Sequence, residues 1–302
     1  MYVGTRDGRI DEDDMDVTHE TDDEQTRLWN GVAGRAWVEM QDLLDQVLEP
    51  FETLLVQAVA AGSRHSVLDV GCGTGSTTLA VARLLGATGC SVGIDISDPM
   101  IAAARARAER EGASARFICA NAQVHAFQPA SFETIISRFG VMFFDDPVRA
   151  FANLRRAATE DAELRFIAWR SAAENPFMTT AERAASALLP NVPARRPEGP
   201  GQFAFANRHR VSTILEESGW TGIDIRPIDV ACSLPEKELV RYVTGIGPVG
   251  LILREADEET RARVIEPLRA AFDPYVHGAE VRFTSACWMV GAQAEGPRRN
   301  ER

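Results

Sequence analysis

Residues 67–75 read Val67-Leu68-Asp69-Val70-Gly71-Cys72-Gly73-Thr74-Gly75: an apolar run broken by one acid, then glycines at three alternate positions. A helix-forming segment follows, from Thr77 to Leu85. The apolar run predicts a buried parallel strand, and the glycines predict a tight strand-to-helix turn where backbone comes close to a ligand. Twenty residues after Gly75, a second apolar run, Ser91 to Ile96, carries Asp95 near its end. An acid at the carboxyl end of a second parallel strand is placed to hold a ribose diol by two hydrogen bonds. A nucleoside-containing cofactor is the expected ligand.

Glycine spacing separates two cofactor classes. A dinucleotide site needs G-x-G-x-x-G, whose third glycine lets the helix approach a pyrophosphate. Gly71 and Gly73 would put that glycine at position 76, which is Ser76. The string is instead D-x-G-x-G-x-G, and Asp69-Val-Gly71-Cys-Gly73-Thr-Gly75 resembles motif I of the class I S-adenosylmethionine (SAM) methyltransferases. That resemblance implies a Rossmann-like α/β sheet of seven strands, six parallel and an antiparallel seventh inserted between strands five and six. It makes SAM the cofactor and assigns Asp95 to the ribose hydroxyls, with Met100 covering the adenine and Ile96 among the cofactor-binding residues.

The resemblance extends along the chain. Asn121-Ala122-Gln123 matches the segment after strand three that contacts the adenine edge, with Asn where the family carries Asp. Ser137-Arg138-Phe139-Gly140-Val141-Met142-Phe143-Phe144 resembles the strand-four region that faces the methionine end of SAM. This string is similar to bacterial small-molecule methyltransferases related to the ubiquinone/menaquinone-biosynthesis C-methyltransferases. Trp29 to Trp37 resembles the N-terminal element that folds over SAM in those relatives. The two tryptophans either wall a cationic sulfonium or pack their helix onto the core. One departure is Thr159-Glu160-Asp161-Ala162, a turn sequence where the relatives have Pro-Gly-Gly.

Composition sets outer bounds. The 302 residues are 45% hydrophobic, enough for one elaborated α/β domain or a domain with a cap. A net charge of −12 argues against nucleic acid or an anionic membrane as partner and favours a small molecule. Five cysteines show no C-x-x-C spacing, and no signal peptide or membrane-length apolar run is present. The expected setting is the reducing cytoplasm. A homodimer is left open.

The expected organisation is an acidic disordered lead-in (1–25), an N-terminal helical cap (26–62) and a SAM-binding core (63–169). A lid insertion (170–207), a core helix with strand six (208–232), a helical lid insertion (233–280), the final strand (281–294) and a tail (295–302) follow. In the cap, Pro50 predicts two helices or one kinked helix. Both insertions leave the carboxyl-end half of the sheet and are read as the acceptor-binding lid.

Chemistry beyond the cofactor is less defined. Arg138, His125, His209, His277 and Asn175 are the catalytic or acceptor-contacting candidates, with Arg170 and Glu174 beside Asn175. Asp145-Asp146 reads as a helix N-cap before Pro147 rather than a metal site, and the histidines lack metal spacing. No metal is expected. Methyl transfer to a small-molecule acceptor by direct SN2 displacement is the favoured function. A nicotinamide-dependent oxidoreductase and a non-catalytic SAM-binding regulator are the alternatives.

Overall fold

The computed structural model describes residues 24–62, 65–189, 192 and 199–295. The lead-in up to residue 23, most of the Pro/Gly cluster at 190–201 and the tail after 295 lie outside the described residues. The sheet is mixed α/β with strand order β3-β2-β1-β4-β5-β8-β6. Its members are β1 (Ser66–Val70), β2 (Cys90–Asp95), β3 (Ala115–Cys119), β4 (Phe132–Arg138), β5 (Ala158–Trp169), β6 (Thr221–Pro235) and β8 (Glu280–Gln293). β1 pairs in parallel with β2 on one side and β4 on the other, while β8 runs antiparallel between β5 and β6. A two-residue strand, β7 (Val276–His277), pairs with β8 and makes the sheet eight-stranded. Strand order reverses between β1 and β4, so a ligand crevice is expected outside their carboxyl ends.

Helices pack where burial periodicity demands. Residues 24–30 form α1, so helix begins inside the expected lead-in. α2 (Val32–Glu39) and α3 (Gln41–Ala61) follow. α3 runs unbroken through Pro50, with Leu43, Leu44, Val47, Phe51 and Leu55 buried along one face. That buried stripe holds the helix together across the hydrogen bond the proline removes. α4 (Ser76–Leu85), α5 (Asp98–Glu111) and α6 (Pro147–Ala157) connect the parallel strands. α5 stops at Gly112, a left-handed C-cap at φ +62°.

Two expectations about local structure need correction. Thr159 to Ala162 is strand rather than turn: β5 starts at Ala158, with a register irregularity opposite Phe132 and Thr134 and Ala162 fully buried. The insertions also hold more helix than their sequence suggested. α7 (Pro176–Ala185) lies in the first, before α8 (Arg208–Glu217). α9 (Leu239–Gly245), α10 (Gly247–Glu255) and α11 (Glu258–Ala270) fill the second. Gly247-Pro248 reads locally as a turn, yet proline at the first turn of a helix is well tolerated, and Val249 and Leu253 give α10 a buried face.

Candidate active site

The strand ends at the reversal point open onto one cavity of about 810 Å³. That volume lies within the roughly 300–1,000 Å³ typical of small-molecule sites. Its floor is the β1–α4 turn, where Gly71, Gly73 and Gly75 all have positive φ (+68°, +55° and +86°). The three have different reasons for being glycine. A Cβ on Gly71 would stand 2.5 Å from the Cα of Gly140, so this pair lets the turns after β1 and β4 touch. A Cβ on Gly75 would press into Phe117 and Ala104, so this glycine lets α4 pack. Only at Gly73 is the space open, with Met100 Sδ and Trp37 Nε1 the nearest atoms at 3.8 Å. Gly73 therefore leaves room for a ligand, and Gly75 does not line the cavity.

Asp95 stands at the end of β2 with its carboxylate held by backbone: the Gly73 amide donates to Oδ2 (2.8 Å) and the Ser97 amide to Oδ1 (2.9 Å). Burial raises its pKa, and those two amides oppose the shift. The N-terminal element is stitched to the same turn. Asn30 donates to the Ile96 carbonyl (3.1 Å) and accepts from the Asp98 amide (2.8 Å), while Ser97 Oγ donates to the Trp29 carbonyl (2.6 Å). Trp29 and Trp37 meet edge to face at 6.2 Å, and Trp29 meets Phe143 at 5.2 Å. Both tryptophans line the cavity with Ile96, Met100, Asn121, Ala122 and Gln123. Asn121 Oδ1 accepts from the Gln123 amide, and Gln123 Oε1 accepts from the Asp146 amide, so these side chains also brace the wall.

Asp69 is the anomaly of the floor. Thr78 Oγ1 donates to its Oδ2 (2.7 Å), but Oδ1 is buried without a hydrogen-bond partner. Burial pushes its carboxyl up to about 6, against the lowering effects of Thr78 and of the Arg138 charge. Thr77 Oγ1, also in the cavity wall, is likewise buried and unpartnered. Buried polar groups are almost always satisfied, so two orphans in one cavity point to a polar, cationic ligand. The residues present fit SAM: Asp95 would hold the ribose hydroxyls, the open Gly73 turn would admit the chain, and Asp69 with Thr77 would meet its charged amino-acid end.

Several candidates fall elsewhere. Ser137 does not line the cavity; its hydroxyl donates to the Val70 carbonyl (2.7 Å) and accepts from the Gly140 amide (3.1 Å), clamping β4 to β1. Asn175 is buried under β8, donating to the Ser171 and Ala286 carbonyls and accepting from the Ala286 amide. His125 packs edge-on against Phe127 outside the cavity, and His209 and His277 are exposed, in α8 and β7. Arg170 is tied to Glu174 and Asp229 on the surface. Arg138 does line the cavity, but its guanidinium donates to Ser76 Oγ (2.9 Å) and the Leu48 carbonyl (3.4 Å). Asp146 caps α6 by accepting from the Arg149 amide, and no cluster able to hold a metal ion occurs among the described residues.

The two insertions line the far side. Phe177 and Met178 of α7 and Tyr242, Val243 and Ile246 at α9 line the same cavity. The second insertion docks on the α2–α3 junction, where Arg254 pairs with Glu39 (2.7 Å) and Arg241 donates to the Glu39 carbonyl (2.9 Å). These lid contacts and the orphan at Thr77 carry no local sequence signal; they come from packing between distant segments.

A sheet of this order, with a D-x-G-x-G-x-G turn after β1 and an acid closing β2, is the architecture of class I SAM-dependent methyltransferases. Residues 67–161 match the family described as "Methyltransferase domain". Among named relatives, it is 36% identical over 104 residues to aklanonic acid methyltransferase DauC of Streptomyces sp. (strain C5), covering 34% of this chain and 47% of that one. It is 32% identical over 106 residues to the ubiquinone/menaquinone biosynthesis C-methyltransferase UbiE of Marinomonas sp. (strain MWYL1), covering 34% and 41%. The match spans under half the length of these relatives. A solved structure described as "Conversion of a Disulfide Bond into a Thioacetal Group during Echinomycin Biosynthesis" shares the fold at TM-score 0.54 and 19% identity, covering 82% of this chain and 81% of that one.

Proposed function

We propose that the protein is an enzyme that transfers the methyl group of SAM to a small-molecule acceptor by direct in-line displacement. The carrying observation is that one cavity is lined both by the glycine turn with Asp95 and by the lid helices, so donor and acceptor share a chamber. SAM supplies an already activated sulfonium methyl, so positioning and exclusion of water are what the chain must contribute. The Gly73 turn and Asp95 fix one side, and Trp29, Trp37 and Phe143 cover it. Phe139 and the lid present an apolar face to the acceptor.

The rival readings fit less well. Ser76, where a dinucleotide site needs glycine, holds its hydroxyl against Arg138 at the start of α4. A non-catalytic SAM-binding protein has no use for the lid-side half of the cavity. The relatives DauC and UbiE are named for small organic molecules, which supports a small acceptor. The five free cysteines suit a reducing compartment such as the cytoplasm. The test is turnover of methyl-labelled SAM with fractionated cell metabolites. Label in a small organic product supports the proposal; label confined to protein or nucleic acid, or no transfer to any fraction, overturns it.

A further inference from the structure

The lid-side half of the cavity has a character of its own. Phe139 sits at φ +67°, a backbone region bulky residues rarely occupy, and its ring lies flat against Trp169 at 4.5 Å and 9°. Phe51 meets the same ring edge-on at 4.9 Å. A strained residue thus presents a fixed aromatic surface. On the lid, Phe177 stacks on Phe283 (3.7 Å, 2°) and contacts Phe272 at 5.2 Å and Tyr242 at 6.1 Å. Phe177 thus joins the Tyr242 ring to this aromatic cluster.

The polar groups of the described wall are mostly committed. Arg138, its one cation, is held by Ser76, by Leu48 and by Glu52 at 3.9 Å. Ser171 Oγ donates to Glu174. Glu182 and Gln202 interact with neighbours. The Tyr242 hydroxyl, in contrast, has no hydrogen-bond partner among the described residues, although the residue lines the cavity and is half-buried. Burial pushes its ionisation well above the ordinary tyrosine range, so it remains a neutral donor at any working pH.

Resting on the methyltransferase reading, we infer that the acceptor is a neutral, flat, ring-bearing molecule with an oxygen that accepts a hydrogen bond from Tyr242. The rings of Phe139 and Trp169 supply a surface that such a molecule stacks against. Tyr242 fixes its orientation and so acts as a specificity residue. A carboxylate or phosphate on the acceptor meets no uncommitted cation in the described wall, and Asp69 and Asp95 lie in the same cavity.

Equilibrium dialysis against the full chain saturated with S-adenosylhomocysteine tests this with three probes. They are α-tetralone (a neutral ring ketone), tetralin (the same skeleton without oxygen) and 1-naphthoate (an anion). Tetralone is expected to bind at least tenfold more tightly than naphthoate. Tyr242→Phe should weaken tetralone about fivefold, within the range of one neutral hydrogen bond, and leave tetralin unchanged. Unchanged S-adenosylhomocysteine affinity and melting temperature show that the variant is folded. Naphthoate binding as tightly as tetralone overturns the neutral class. Equal tetralone affinity in the Tyr242→Phe variant overturns the anchor, and no tetralone binding overturns both. Failure of the wild-type chain to bind S-adenosylhomocysteine would count against the methyltransferase reading instead, and is measured separately.

Discussion

Gly73 and Gly71 lie two residues apart and both have positive φ, yet the structure assigns them different consequences on substitution. An alanine at Gly73 must adopt φ +55°, which costs about 1–2 kcal/mol. Its methyl group meets no protein atom closer than 3.8 Å, so no further destabilisation is expected. That methyl instead occupies cavity space between Met100 and Trp37. Intrusion of one carbon into a packed contact costs about 2 kcal/mol, or roughly a thirtyfold rise in the Kd for S-adenosylhomocysteine. At Gly71 the strain is similar, but the new carbon also lies 2.5 Å from Gly140 Cα, backbone against backbone. Neither side is a flexible side-chain end, so the turns after β1 and β4 must separate at a combined cost of about 3–5 kcal/mol. Chemical denaturation reads stability and titration calorimetry reads binding. Gly73→Ala should remain folded and bind poorly, whereas Gly71→Ala should lose both. Wild-type affinity in Gly73→Ala, or equal stability of the two variants, would refute the reasoning.

Asp95→Asn removes the charge and turns an amide N–H toward a backbone donor at Gly73 or Ser97; calorimetry should show S-adenosylhomocysteine affinity falling tenfold or more. Asp69 has a folded pKa of about 6, above its ordinary 3.8, so its favourable contribution to folding is present below about pH 4 and lost as pH rises through 6. Stability of wild type minus that of Asp69→Asn should therefore fall by roughly 3 kcal/mol between pH 4 and 7, and parallel pH profiles would contradict the assignment. Because a cationic ligand favours the ionised carboxylate, SAM affinity should rise over the same window in wild type and flatten in the variant. Asn175→Ala should cost about 1–3 kcal/mol in a denaturation curve, since it strands the Ala286 amide while the Ala286 carbonyl keeps the Arg170 amide, and cofactor affinity in the folded protein stays unchanged.

The cofactor half was legible because its signals are local. The positive φ of the glycine turn and the Asp146 cap each depend on backbone within a few residues. Side-chain direction at the strand ends was less legible. Ser137 belongs to the right segment, but its hydroxyl turns toward Val70, sixty-seven residues away in sequence. Asn175 leaves β5 as expected and then turns under β8, a partner 111 residues distant. Pro50 illustrates a local rule overridden by packing, since the buried face of α3 outweighs one missing hydrogen bond. The Tyr242 position in the cavity wall depends on how α9 packs against Phe177, and no spacing within the helix encodes it.

The central claim is that the Gly73 turn and Asp95 form a SAM site rather than a dinucleotide site. The most direct measurement is calorimetric titration of the purified chain with S-adenosylhomocysteine and, in parallel, with NADH. One S-adenosylhomocysteine is expected to bind per chain at micromolar Kd, with binding lost in Asp95→Asn and no heat from NADH. Saturable NADH binding with none for S-adenosylhomocysteine would contradict it.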